Sequence, residues 1–221
     1  MRNPNVLVIV EGGKSEPRFF SRLAEVFSLD LKIYCLKTNI YSLYKKMREI
    51  DFNGDIKSIL AEIHPEQKDL LSLKFAYTYL IFDCDAHHPK AQEKRSQQEI
   101  VLENLTKLKE MTNYFVDETD PTVGKLYVNY PMMESYRDCD DFFDPNYAKR
   151  SVTLEDMPSY KSIVSSRKLC SIHVKSFTER QFSLLTLQNL CKLNKIHHGN
   201  WRVPPYSFYL EDSSQAKILA H

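Results

Sequence analysis

Short apolar runs alternate with segments of helical periodicity through the first part of the chain. Every position of Val6–Val10 is apolar, which is typical of a strand buried on both faces of a sheet. Further runs rich in β-branched and aromatic residues predict strands at residues 31–36, 76–82 and 125–129. Apolar residues at helical spacing follow each of the first three strands, the last of them over residues 92–112. The alternation predicts right-handed βαβ units, and so an α/β, Rossmann-like fold with helices flanking a parallel four-stranded sheet.

The pattern changes after about residue 138. Residues 139–158 are acidic and predict a loop-rich stretch, residues 179–193 have helical periodicity, and residues 201–210 are aromatic and contain proline. We therefore divide the chain into an α/β domain at residues 1–138 and a mixed C-terminal extension at residues 139–221, packed on that domain. Residues 51–73 have no clear pattern and are expected to form a loop and a short helix.

Composition narrows the class of protein. The 221 residues are 43% hydrophobic and 27% charged, which is enough apolar material for one substantial core. We find no apolar run of about 18 residues and no signal-peptide pattern, so we expect a cytoplasmic protein without a membrane partner. The five cysteines are scattered without a C-x-x-C pair, which favours reduced thiols over a zinc site or a disulfide framework.

Three carboxylates come at the ends of predicted strands. Glu11 follows the first strand, and Asp83 and Asp85 follow the third. Ligand sites in open α/β sheets form at the carboxyl ends of the strands, so these acids converge if the two strands are neighbours. Converging carboxylates repel one another, and a hard divalent cation relieves that repulsion. The spacing therefore predicts a site for Mg²⁺, or Mn²⁺ in its place.

The turn after the first strand has the composition of a phosphate-binding loop. Gly12 and Gly13 are two of only five glycines in the chain, and they let backbone N–H groups approach an anion at the start of a helix. Lys14 adds a positive charge beside them. Each feature alone also has an ordinary interpretation, because an acid after a strand is often a helix cap and a D-x-D sequence is often a solvated turn. Their combination favours the metal site.

These residues resemble the TOPRIM domain of topoisomerases, DnaG-type primases and OLD-family nucleases. That domain has Glu-Gly after its first strand and Asp-x-Asp after a later one, here Glu11-Gly12 and Asp83-Cys84-Asp85. The stretch VEGGKSEPRFF is most similar to the opening of RloB-like proteins, a TOPRIM branch found near restriction and phage-defence loci. The residues that match that opening are Glu11, Gly12, Lys14, Glu16, Pro17 and Phe20.

The second motif of that branch, D-R-D-D-H, is similar to IFDCDAHHP in this chain. Asp83, Asp85 and His87 match it, whereas Cys84 and Ala86 depart from it. The resemblance implies Mg²⁺-dependent cleavage of phosphodiester bonds in DNA or RNA, including tRNA, by an enzyme of phage defence. An ATPase or another defence protein is the partner that it implies, and a homo-oligomer is left open.

The resemblance also implies roles for single residues. Glu11 would be a metal ligand or general base, and Asp83 and Asp85 would hold one or two metal ions. Lys14 would act in the catalytic site by contacting phosphate, and His87 would contact phosphate or transfer a proton, with a surface-loop histidine as its ordinary interpretation.

Two further acids are metal candidates. YVNYPMMESY resembles an N-P-x-x-E segment of the branch, in which Glu134 keeps its spacing from Pro131 while Tyr130 replaces the asparagine. Glu16 lies where a glutamate of other members supports the metal. Its ordinary interpretation is an acid in the first turn of a helix, favoured by the helix dipole, and that of Glu134 is a solvated acid.

The C-terminal extension is basic although the chain as a whole carries only +1. Residues 160–210 contain eight Lys or Arg and one acid, a pattern that fits contacts with nucleic-acid phosphates and with unpaired bases. The residues assigned to nucleic-acid binding are Arg167, Lys168, Lys192, Lys195, Trp201 and Arg202. A solvated surface with ordinary aromatic packing would have the same composition.

Three other interpretations compete with a nuclease. A non-catalytic TOPRIM module would bind phosphate or a partner chain and regulate an effector. A glycosyltransferase would use Asp83 and Asp85 as its metal-binding D-x-D, but no other signal of a nucleotide-sugar pocket is found. A receiver domain fits less well, because its acids cluster on the first strand and one later aspartate.

Overall fold

The computed structural model describes residues 4–86, 95–153, 156–203 and 219–220. The chain divides into two compact units, Met1–Val128 and Asn129–His221. Within the described residues, no helix combines the length and the apolar character needed to cross a membrane. All five cysteines are free.

The first unit is built on a mostly parallel sheet. Its strands are β1 (Val6–Val10), β2 (Leu31–Cys35), β3 (Tyr77–Asp83), β4 (Val116–Asp117) and β5 (Gly124–Tyr130), the last running into the second unit. They lie in the order β2-β1-β3-β5-β4. β1 pairs in parallel with both β2 and β3, and β4 pairs antiparallel with β5.

The α/β prediction is confirmed, and the sheet differs from it at one edge. The four predicted strands are present, with β1 as a central strand whose residues Leu7 to Val10 are buried. β4 makes the sheet mixed rather than purely parallel. It has only two residues, both exposed, so its sequence carries no apolar run that would predict it.

Five α-helices belong to the first unit as far as the structure describes it. They are α1 (Ser15–Val26), α2 (Ile40–Glu49), α3 (Ile56–Ile63), α4 (Lys68–Leu71) and α5 (Gln97–Tyr114), with a 3₁₀ turn at Pro65–Gln67. Side chains cap three of them: Asn39 caps α2, Asp55 caps α3, and Ser96 forms a capping box with Glu99 at the start of α5. The segment without a clear pattern, residues 51–73, holds α3 and α4.

The second unit is mainly helical and irregular. Its α-helices are α6 (Tyr160–Ser165) and α7 (Glu179–His198), and the two-residue strand β6 (Leu219–Ala220) pairs with the end of β5. Its 3₁₀ helices are Met133–Arg137, Pro145–Lys149, Met157–Ser159, Lys168–Ser171 and Val174–Ser176. α7 runs five residues beyond its predicted end and stops at Gly199, whose φ of 74° is the left-handed conformation of a helix C-cap.

The boundary between the units lies at residues 128–129, ten residues before the predicted one. The reason is the packing of the intervening segment. Met132 forms a buried cluster with Tyr160 and Val164 of α6, so this segment belongs to the core of the second unit.

Ion pairs of Arg150 with two buried aspartates and an exposed one organise the acidic stretch of the second unit. The Arg150 guanidinium pairs with Asp138 and Asp140 at 3.3 and 3.0 Å and with Asp144 at 2.9 Å. Asp138 also accepts a hydrogen bond of 2.8 Å from Nε of Arg167. The predicted loop-rich stretch is confirmed as 3₁₀ turns and bends over its described residues, and two of its acids, Asp140 and Asp144, pair with Arg150 of the same unit.

Candidate metal and phosphate site

The acids of the first unit meet at the carboxyl ends of neighbouring strands. β1 and β3 lie side by side in register, with Val10 opposite Ile81. Glu11 comes directly after β1, and Asp83 is the last residue of β3. The adjacency that the sequence could only assume is therefore present, and it brings the two carboxylates to one edge of the sheet.

A cavity of about 490 Å³ opens at this edge. Two carboxylates, those of Glu11 and Asp85, line it together with residues from the turns that follow β1 and β2. The remaining lining residues are Gly12, Gly13, Lys37, Thr38 and Asn39. The cavity thus combines acids, a lysine, and turns in which backbone groups are close to the surface.

The surroundings of the Glu11 carboxyl group disfavour its charged form. Burial, first, and then the charges of Asp83 and Asp85 together raise its pKa from 4.5 to about 8, against a hydrogen bond from the backbone of Asp83, which lowers it. Its Oε2 atom is buried and has no hydrogen-bond partner among the described residues. A buried carboxylate oxygen without a partner is unfavourable, so Glu11 is suited to a proton or a cation as its missing partner.

Two hydrogen bonds hold the loop that carries Asp85. The Tyr41 hydroxyl of α2 donates to the carbonyl of Cys84 at 2.5 Å, and the Asn104 amide of α5 donates to the carbonyl of Ala86 at 2.9 Å. Asp85 itself has a φ of 35°, which is uncommon for a residue with a side chain. Sequence reasoning missed both positioning residues, because each is remote from Asp85 along the chain.

The donor chemistry of the site fits Mg²⁺, since carboxylate oxygens are its usual protein ligands. The buried, unpartnered Oε2 of Glu11 supports the same fit. However, no group of three or more His, Cys, Asp or Glu side chains in the described part of the chain is placed to hold a metal ion together. Two or three of the acids would have to draw closer around a cation.

The backbone N–H of Gly12, predicted to face a bound phosphate, has a partner within the protein. It donates to Oε1 of Glu16 at 2.9 Å, so this N–H is already used within the turn. A Cβ atom at Gly12 would lie 2.7 Å from both carboxylate oxygens of Glu16, whereas one at Gly13 would meet nothing within 4 Å. Glu16 therefore supports the turn at the start of α1, and Gly13 is the glycine with open space around it.

Lys14 is exposed and is not among the residues that line the cavity. Lys37 takes that place from the turn after β2, together with Thr38 and Asn39. The available signal was its position just after a predicted strand whose carboxyl end faces the same edge as β1.

Two other candidates belong to the second unit or lie outside the described residues. Glu134 is in the second unit, where its carboxylate is 3.7 Å from the ammonium of Lys161. His87 lies outside the described residues, so its predicted roles remain predictions.

The predicted nucleic-acid-binding residues lie in different environments. Lys168, Lys195 and Arg202 are exposed. Arg167 is paired with Asp138, and the half-buried Trp201 lies with its ring centroid 6.3 Å from that of Phe143.

The burial of Lys192 does not fit the nucleic-acid contact that the sequence predicts for it. Lys192 is only 6% exposed, and its ammonium lies 4.1 Å from the centre of the Tyr147 ring. Burial lowers its pKa to about 8. Helical periodicity accounts for this position, because Lys192 falls on the buried face of α7 beside Gln188.

No protein-family model, curated protein or solved structure matches the chain.

Proposed function

We propose that this protein is a Mg²⁺-dependent nuclease of the TOPRIM type, which hydrolyses phosphodiester bonds of DNA or RNA. The observation that carries the proposal is Glu11, a half-buried residue with a carboxyl pKa of about 8 and a buried, unpartnered Oε2, in a cavity shared with Asp85. Perturbed acids that line a cavity are characteristic of functional sites. The sequence resemblance supplies the reaction class.

In this proposal Glu11, Asp83 and Asp85 hold the metal. A bound Mg²⁺ would activate water and stabilise the leaving oxygen of the ester. Tyr41 keeps the loop of Asp85 in place through its bond to the Cys84 carbonyl. The raised pKa of Glu11, about 8, favours its protonated form near neutral pH, and a bound cation would require the carboxylate, so metal binding would release that proton.

The test uses the full chain, freed of metal with EDTA, on a panel of single- and double-stranded DNA, RNA and tRNA. We expect cleavage only after Mg²⁺ or Mn²⁺ is added, and its loss in Glu11→Gln and Asp83→Asn. The control is Glu62→Gln, an exposed acid of α3, which should cleave like the wild type. Cleavage that persists in EDTA, or in both site variants, would show that the proposal is wrong.

One observation favours a second candidate, a non-catalytic phosphate-binding module. The described residues contain no complete metal-ligand group. Such a module would bind a phosphate-bearing ligand or partner equally well with and without Mg²⁺, and would cleave no member of the panel.

The role in phage defence and the ATPase partner belong to the proposal on the strength of the resemblance alone. The genes beside this one would test both, since an ATPase, a reverse transcriptase or restriction genes would each indicate a different system.

A further inference from the structure

The turn after β2 supplies a cation to the cavity from a position that the motifs do not mark. We infer that Lys37, assisted by Thr38, binds a phosphate group of the substrate opposite the acids. The inference rests on the proposed function for the identity of the ligand as a phosphate ester. It assigns to Lys37 the phosphate contact that sequence reasoning gave to Lys14.

Backbone hydrogen bonds hold Lys37 next to the first strand. The parallel pairing of β1 with β2 continues past their ends, because Leu36 donates to the carbonyl of Val10 at 2.9 Å and Lys37 donates to the carbonyl of Glu11 at 2.8 Å. The backbone of Lys37 is therefore hydrogen-bonded to that of Glu11, whose carboxyl group has a raised pKa. Its position does not depend on a flexible loop.

The side chains of Lys37 and Thr38 are available to bind a ligand. In the described part of the chain, the ion-pair partner of Lys37 is Glu66, at 4.0 Å, and both side chains are 58% exposed. Such exposed pairs contribute little, so the ammonium can exchange Glu66 for a phosphate. Glu66 keeps a second contact, at 3.1 Å to Nδ1 of His64. The Thr38 hydroxyl makes no hydrogen bond to any described residue.

The charge distribution of the cavity requires a cation for an anionic ligand. Asp85 disfavours an anion, as Glu11 does when it is ionised, and Lys37 is the one Lys or Arg among the described lining residues. Its neighbour Asn39 is already engaged, because its side chain accepts the N–H of Ser42 at the start of α2. Phosphate recognition in this cavity therefore falls to Lys37 and Thr38.

The conformation of Lys37 suggests the informative substitution. Its φ of 59° is left-handed, a conformation that asparagine adopts more readily than most residues. Lys37→Asn thus removes the charge without adding backbone strain, and Lys37→Arg keeps the charge. The matched control is Lys46→Asn in α2, since Lys46 is 56% exposed, pairs with Glu49 at 3.1 Å and lies outside the cavity lining.

Binding is measured first, by calorimetry with thymidine monophosphate as the probe. The background is Glu11→Gln in EDTA, so that the readout needs neither catalysis nor a cation. We expect Lys37→Asn to raise the Kd at least about tenfold, as for the loss of a charge-assisted hydrogen bond. Lys37→Arg and Lys46→Asn should stay within about threefold of the parent, and Glu66→Gln should bind as tightly or more tightly.

A parent that binds no probe at millimolar concentration, or a Lys37→Asn variant that binds like Lys46→Asn, would overturn the inference. Melting curves of each variant, followed by circular dichroism, confirm that the fold is retained. A Lys37→Asn variant that fails to fold is replaced by Lys37→Gly, which also adopts the left-handed conformation.

Kinetics with bis(para-nitrophenyl) phosphate and Mg²⁺ separate the inference from the proposed function. If both hold, Lys37→Asn raises KM about tenfold and changes kcat little. The reason is that the contact stabilises the bound ester and the transition state alike. Cleavage with unchanged KM in Lys37→Asn overturns the inference and leaves the nuclease intact. Binding that depends on Lys37 without any cleavage by the wild type refutes the nuclease and supports the phosphate site.

Discussion

The raised pKa of the Glu11 carboxyl group leads to a quantitative prediction about the stability of the protein. Glutamine keeps the shape of the side chain but cannot ionise, so its replacement of Glu11 removes the cost of an ionised carboxylate at this partly buried position. The folded protein holds a proton on Glu11 up to about pH 8, whereas the unfolded chain releases it near 4.5. The unfolded state therefore binds fewer protons between these values, and the stability of the wild type falls as the pH rises through this window.

The magnitude follows from the size of the shift, because each pKa unit corresponds to about 1.4 kcal/mol. Glu11→Gln should be more stable than the wild type by about 1 kcal/mol near pH 5 and by at most about 3 kcal/mol near pH 7, in the absence of metal. For a chain of this length, the difference near pH 7 corresponds to a melting temperature higher by roughly 6–12 °C.

Thermal unfolding in EDTA, followed by circular dichroism across this pH range, measures the difference. Glu62→Gln is the control, because it replaces an exposed acid of α3, and it should follow the wild type at every pH. A gap between Glu11→Gln and the wild type that does not widen with pH would refute the reasoning. Added Mg²⁺ should raise the melting temperature of the wild type and leave that of Glu11→Gln unchanged.

Three other predictions follow from single contacts. Tyr41→Phe removes the donor to the partly buried Cys84 carbonyl and should lower stability by about 1 kcal/mol in thermal unfolding. It should also lower kcat/KM at a temperature where the variant is still folded, and wild-type kinetics would contradict the positioning role. Gly12→Ala should displace the Glu16 carboxylate and destabilise by about 1 kcal/mol, whereas Gly13→Ala, with open space around it, serves as the control in the same urea titration and should stay within about 0.5 kcal/mol. Arg150→Ala leaves the buried Asp144 carboxylate without its arginine, while Asp138 keeps Arg167, and should destabilise by about 3–5 kcal/mol in urea unfolding; a loss under about 1 kcal/mol would show that the cluster is solvated.

The strands and long helices were predictable because their signals are local. The apolar run of β1 and the strands β2, β3 and β5 were each placed within one residue of the observed bounds. The edge strand β4 was not, since two exposed residues carry no periodic signal and are held only by pairing with β5. Lys192 was misassigned for a related reason, because composition counts a lysine as surface charge wherever the helix places it.

The sequence by itself determined the fold class and the acids of the candidate site. Asp83 ends an apolar strand and Glu11 and Asp85 come just after one, and in a parallel sheet strand ends of this kind lie at one edge. Only the tertiary structure decided that β1 and β3 are neighbours, that Glu16 takes the N–H of Gly12, and that Lys37 rather than Lys14 lines the cavity. These features depend on contacts between segments remote along the chain, and local periodicity carries no information about such contacts.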